Sequence, residues 1–209
     1  MQENEFLSEI ESYYSERIRT HGESPQGVDW NGADGQTLRF EQLLKIVSLE
    51  RQFSINDLGC GYGALLDFVS QSVEDYLYAG FDISEEMITV GRKRYKENSR
   101  ARFAVGHEPD GIADYGIASG IFNVKLRASE AEWESYIERS LDILNGTSRC
   151  GFAFNCLTSY SDSEMTRPHL YYADPLQIFD LCKRRYSRNV ALLHDYDLYE
   201  FTVLVRKLI

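Results

Sequence analysis

The sequence predicts an α/β fold: a seven-stranded, mostly parallel sheet with its last strand antiparallel, helices on both faces, and a helical cap at the N-terminus. Three observations carry this. From about residue 54 onward, short apolar runs of strand length alternate with amphipathic helical stretches, the pattern of a parallel sheet covered on both faces. An early strand runs into a glycine-rich turn that opens a helix. The last two strand-like runs have only a tight connection between them, too short for the crossover that parallel neighbours need, so they form a hairpin.

The elements follow in order. Over 4–19, Phe6, Ile10, Tyr13, Tyr14 and Ile18 make one apolar helix face. Residues 20–35, rich in Gly, Asp, Asn and Ser, read as a loop that holds Trp30. A second helix carries Phe40, Leu43, Leu44 and Val47. Strand 54–58 and helix 63–72 follow, then strand 76–82 and helix 85–98 with Ser84 as N-cap, acids first and bases last. Strands 101–105 and 115–119 precede a helix announced by the capping box Ser129/Glu132 and bearing Trp133, Ile137, Leu141 and Leu144. Strand 150–156 is next. Asp174-Pro175 then sets an N-cap with Pro at the first helical position. Strands 190–194 and 199–206 close the chain. This divides it into a cap at 1–40 and one α/β domain at 41–209, without internal repeats.

Composition narrows the function. The 209 residues carry a net charge of −11, which argues against a surface built to neutralise nucleic-acid phosphates. The basic runs Arg92-Lys93-Arg94 and Lys183-Arg184-Arg185 sit late in predicted helices, where cations complement the helix dipole. Cys60, Cys150, Cys156 and Cys182 have no CxxC spacing, so no zinc or redox motif is indicated. The polar, acidic N-terminus is no signal peptide, and no apolar run reaches membrane-span length, so a cytoplasmic protein is expected.

The chemistry centres on Ile55-Asn56-Asp57-Leu58-Gly59-Cys60-Gly61-Tyr62-Gly63. Glycines let the chain turn tightly and let a ligand lie against bare backbone, at a helix N-terminus with open N–H groups. Both dinucleotides and S-adenosylmethionine use such a turn, and Gly59-x-Gly61-x-x-Ala64 can be forced into the dinucleotide fingerprint. The early third glycine, Gly63, and the acid Asp57 two residues before Gly59 favour S-adenosylmethionine, whose ammonium and sulfonium suit a carboxylate. Asp82 ends the next strand, where a carboxylate can accept both ribose hydroxyls of either cofactor.

At Asp57–Gly63 and at Gly80-Phe81-Asp82-Ile83-Ser84-Glu85-Glu86-Met87-Ile88, the chain resembles the class I S-adenosylmethionine-dependent methyltransferases, whose fold is Rossmann-like. The resemblance runs from about residue 38 to the C-terminus. It implies that Gly59, Gly61 and Gly63 lie against the methionine moiety, that Asp82 holds the ribose, and that Ile83 packs on the adenine. Many members place an Asp after the third strand. Here the residue is His107, which either accepts from the adenine amino group or faces solvent. Ser119 and Gly120, small residues ending the fourth strand, are expected beside the sulfonium. Arg39 either grips the cofactor carboxylate in a two-pronged fork or forms a surface salt bridge.

The acceptor is expected near the loops after strands four and five and under the cap. Residues 158–173 make a long loop of the kind that serves as a lid. His169 is the first candidate general base, with Tyr160 and Asp162 behind it. No Asn-Pro-Pro-Tyr-like stretch follows strand four, and no His/acid cluster has metal-ligand spacing. The expected activity is methylation of a small-molecule or glycan acceptor. The alternatives are a protein that binds the cofactor without turnover and a nicotinamide oxidoreductase.

Overall fold

A computed structural model of the chain describes residues 3–28, 32–48 and 51–208. Trp30 of the predicted loop lies outside the described residues. Among the described residues seven strands form one sheet: β1 (Phe53–Leu58), β2 (Tyr76–Asp82), β3 (Ala101–Val105), β4 (Ala113–Ala118), β5 (Ser148–Leu157), β6 (Asn189–Leu193) and β7 (Glu200–Arg206). Their order is β3-β2-β1-β4-β5-β7-β6, and β7 runs antiparallel to both neighbours. The chain therefore reverses its direction of growth between β1 and β4, where open α/β sheets bind ligands.

The helices are α1 (Glu3–His21), α2 (Ala33–Leu44), α3 (Ala64–Ser72), α4 (Glu85–Arg94), α5 (Glu130–Gly146) and α6 (Pro175–Arg185). Their starts are written in short-range chemistry. Ser84 accepts from the Met87 N–H, Ser129 and Glu132 close their capping box, and Asp174 accepts from the N–H groups of Leu176 and Gln177. Helix α4 ends at Arg94, four residues before the predicted end; residues 95–98 form a turn closed by the Asn98 N–H on the Tyr95 carbonyl.

Two cores flank the sheet. On one face, Trp133, Ile137, Leu141 and Leu144 of α5, with Ile178 and Cys182 of α6, pack on Phe122, Phe152, Phe154 and Phe201. On the other, Phe40 and Leu43 of α2 and Leu65, Leu66 and Val69 of α3 pack on Phe53, Ile55 and Ile117. All four cysteines are free and buried. No described helix is long and apolar enough to cross a membrane.

The boundary drawn at residue 40 falls inside α2, because that helix packs on β5 and β7 and shares the sheet's core. Helix α1 is also tied into the body. Phe6 meets the rings of Trp133 and Tyr136 edge-on at 6.0 and 5.4 Å, while Ile18 packs with Tyr62 and Met87 beside the glycine turn. The buried Ser15 hydroxyl lies 2.8 Å from that of Ser84, the N-cap of α4. A stretch legible only as an amphipathic helix thus spans from α5 to the turn after β1, across the C-terminal ends of the strands.

Candidate functional site

A cavity of about 490 Å³ opens at those strand ends. Its floor is the glycine turn. Gly59 and Gly61 have φ of +72° and +55°, a region that costs other residues roughly 1–2 kcal/mol. A Cβ on Gly59 would sit 2.1 Å from Ile121 Cγ2, and one on Gly61 would sit 2.9 Å from Val28 Cγ1. Gly63 is the N-cap of α3. The turn is stitched to β2: the N–H groups of Gly59 and Cys60 donate to the Phe81 carbonyl at 2.8 and 3.0 Å.

Asp82 continues the stitching. Its Oδ2 accepts from the Gly61 N–H at 2.8 Å and its Oδ1 from the Ser84 N–H at 2.9 Å. The carboxylate joins the two turns that form the cavity floor, and Ser84, not Asp82, caps α4. Desolvation raises the Asp82 pKa against these hydrogen bonds. Asp57 is 2% exposed, and its Oδ2 accepts from the Tyr78 hydroxyl at 2.5 Å. Burial, opposed by that hydrogen bond and assisted by the charge of Asp82, pushes Asp57 up to about 7.

Arg39 and Glu200 form a two-pronged ion pair in the cavity wall. Arg39 Nε and Nη2 donate to Glu200 Oε2 and Oε1 at 2.8 and 2.6 Å. Glu200 is 1% exposed and also accepts from Asn155 Nδ2 at 2.6 Å; Asn155 Oδ1 accepts from the Gly120 N–H at 2.8 Å. A hydrogen-bonded chain thus runs from α2 through β7 and β5 to the turn after β4. The surface salt bridge foreseen as one option for Arg39 is in fact largely buried, and Arg39 still lines the cavity.

Ile83, His107, Ser119 and Gly120 also line the cavity. His107 is exposed on the turn after β3. Ser119 Oγ is buried without a hydrogen-bond partner, an open polar position in the wall. The cavity therefore offers bare backbone, the buried carboxylate of Asp57, the half-buried carboxylate of Asp82 and an unmatched hydroxyl. That set fits a ligand with a cationic amino-acid end and hydroxyl donors. Among the described residues no group of His, Cys, Asp and Glu could hold a metal ion.

The long loop over 158–173 has more order than its sequence suggested. A bridge between Thr158 and Ala173 closes its base, residues 163–165 make one turn of 3₁₀ helix, and Leu170 bridges to Val124. The N–H groups of Lys125 and Leu126 donate to the His169 carbonyl at 3.0 Å, and the Tyr171 N–H donates to the Asn123 carbonyl at 2.9 Å. The loop is pinned over the segment after β4, and Met165, Arg167, His169 and Leu170 face the cavity.

Of the three base candidates, only His169 borders this space. Tyr160 is 67% exposed with its ring against His194, and Asp162 accepts from the Tyr199 hydroxyl. Neither lines the cavity, because the loop turns both outward before it folds back. Sequence reading missed Tyr78, Asn155 and Glu200. An acid opening the otherwise apolar strand Phe201–Val205 was the visible signal for Glu200; its partner, 161 positions away, was not visible.

The sequence profile of the methyltransferase domain family matches residues 55–144. A Mycobacterium tuberculosis protein named "Putative methyltransferase Rv1506c" is 56% identical over 164 residues, which cover 78% of this chain and 99% of that protein. The fold is similar to that of magnesium protoporphyrin IX methyltransferase (ChlM) from Synechocystis PCC 6803 with bound SAH, at TM-score 0.66 and 15% identity over 96% of this chain and 99% of that one. It is also similar to the DhpI-SAM-HEP complex, at TM-score 0.68 and 14% identity over 99% and 100%. At such identities the two structures speak to fold alone.

Proposed function

Because the chain belongs to the class I S-adenosylmethionine-dependent methyltransferases, we propose that it methylates a small-molecule or glycan acceptor held beneath the 158–173 loop. One observation carries the reading: a single cavity is bordered both by the glycine turn with its carboxylates and by the pinned loop. When bound, S-adenosylmethionine supplies a methyl group on a sulfonium, already a good leaving group, so the protein's share is alignment and exclusion of water.

In this reading the backbone at Gly59, Gly61 and Gly63 accommodates the methionine end of the cofactor. Asp57 balances its ammonium, and Arg39, its plane fixed by Glu200, holds its carboxylate. Asp82 accepts the ribose hydroxyls while its backbone partners hold it in place. Ile83 packs on the adenine, with His107 at the same end. Ser119 and Gly120 flank the reacting centre, where small side chains leave room for an acceptor. His169 takes the proton from an acceptor hydroxyl or phenol.

Incubation of the protein with S-adenosylmethionine and panels of hydroxylated metabolites and glycans, read by S-adenosylhomocysteine release, tests this. Turnover on at least one acceptor is expected, with His169→Ala losing turnover but keeping its affinity for S-adenosylhomocysteine. Cofactor binding without release on any acceptor would point to a protein that holds the cofactor and does not use it.

A further inference from the structure

The wall of the cavity beneath the 158–173 loop has a one-sided chemistry. Ile121, Val124, Met165 and Leu170 make it apolar, and Arg167 and His169 are the ionisable side chains the loop brings to it. The cavity's acids lie elsewhere. Asp57 and Asp82 stand at the ends of β1 and β2, and Glu200 is matched by the two-pronged pair with Arg39. Near the loop, Asp162 is engaged by Tyr199 and Glu134 by the Tyr171 hydroxyl.

Arg167 is held by neutral groups. Its Nη1 donates to the carbonyls of Glu164 and Thr166 at 2.9 and 2.8 Å, and its backbone N–H donates to the Tyr172 hydroxyl at 2.9 Å. Among the described residues no carboxylate pairs with it, whereas most other arginines with resolved contacts pair with acids. The loop that carries it is closed at its base and pinned at 169–171. A guanidinium oriented by carbonyls keeps its full charge and a planar fork, the geometry that selects carboxylate and phosphate oxygens. In a chain of net charge −11, an exposed guanidinium that borders an apolar cavity wall and has no carboxylate partner among the described residues offers a place for a ligand's negative charge.

We infer that the methyl acceptor is a small anion with an apolar body, its carboxylate or phosphate held by Arg167 while the body lies on Ile121, Val124, Met165 and Leu170. This rests on the reading that the acceptor enters beneath the loop. The test uses the full chain saturated with S-adenosylhomocysteine. Benzoate, octanoate and phenyl phosphate are titrated calorimetrically beside the matched neutral alcohols and ammonium compounds. At least one anion should bind tenfold or more tightly than its neutral and cationic counterparts. Arg167→Gln should erase that preference, Arg167→Lys should keep part of it, and Arg184→Gln, on the far helix α6, should leave it intact. Loss of preference for the carboxylates alone would assign a phosphate, and the reverse a carboxylate. No preference for any anion, or the same preference in Arg167→Gln, would overturn the inference. Failure of the parent to bind S-adenosylhomocysteine would instead remove the reading on which it rests.

Discussion

The two ends of the cavity are built by different means. The floor is made of backbone: left-handed glycines, strand ends in register, and N–H groups donating to Phe81 and Asp82 within 22 positions of chain. The wall beneath the 158–173 loop is made of side chains brought together over long separations, with a loop pinned by a few backbone bonds to the segment after β4. The floor tolerates little change because a single Cβ fills it. The wall can be altered residue by residue without disturbing the sheet, as expected where one fold serves different acceptors.

The sharpest way to break that contrast is Gly61→Val. It adds a branched side chain at φ +55° with Val28 Cγ1 2.9 Å from the new Cβ. S-adenosylhomocysteine binding should fall at least 100-fold by calorimetry, with the circular dichroism of the sheet retained. Equal binding would mean that the ligand does not lie on this turn.

Arg39 gives a smaller and more selective effect. Arg39→Ala leaves Glu200, 1% exposed, without its cation, and breaking such a pair costs roughly 3–5 kcal/mol. Its melting temperature should fall clearly. Arg39→Lys keeps a charge but not the fork, so S-adenosylhomocysteine should bind about tenfold more weakly by the worth of one charge-assisted contact. 5′-Methylthioadenosine, which lacks the amino-acid end, should be nearly unaffected. Equal losses for both ligands would mean that the Arg39–Glu200 pair supports only the fold.

This difference in construction also explains what the sequence disclosed. The capping box Ser129/Glu132, the Asp-Pro helix start, the terminal hairpin and the glycine turn are short-range devices, and each was readable where it stands. The mostly parallel sheet and its two covered faces followed from alternation; the strand order, set by pairings between distant strands, did not. The engagement of α1 was not readable, because Phe6 meets Trp133 across more than 120 positions. The outward aim of Tyr160 and Asp162 depends on how the loop is pinned, which its polar sequence does not encode locally. Asp57 was legible as an acid near the turn, but its environment is set by Tyr78 on the neighbouring strand.

That environment sets the mildest effect. Burial holds Asp57 at about 7, so below that pH it is mostly protonated, and a cationic ligand end must displace the proton. Affinity for S-adenosylhomocysteine should therefore rise with pH up to about 7 and level off above it, by at most about tenfold per unit. Asp57→Asn should flatten the profile. A profile unchanged in Asp57→Asn would assign the titration to another group.

The most direct measurement is titration calorimetry of the intact protein with S-adenosylhomocysteine and with NAD, repeated on Asp82→Ala. Saturable one-to-one binding of S-adenosylhomocysteine is predicted, with no comparable heat from NAD. The substitution should weaken binding by tenfold or more, since it removes hydrogen bonds to a charged group worth about 1.5–3 kcal/mol each. Tight NAD binding, or S-adenosylhomocysteine affinity unchanged in Asp82→Ala, would contradict the assignment of this cavity to the methyl donor.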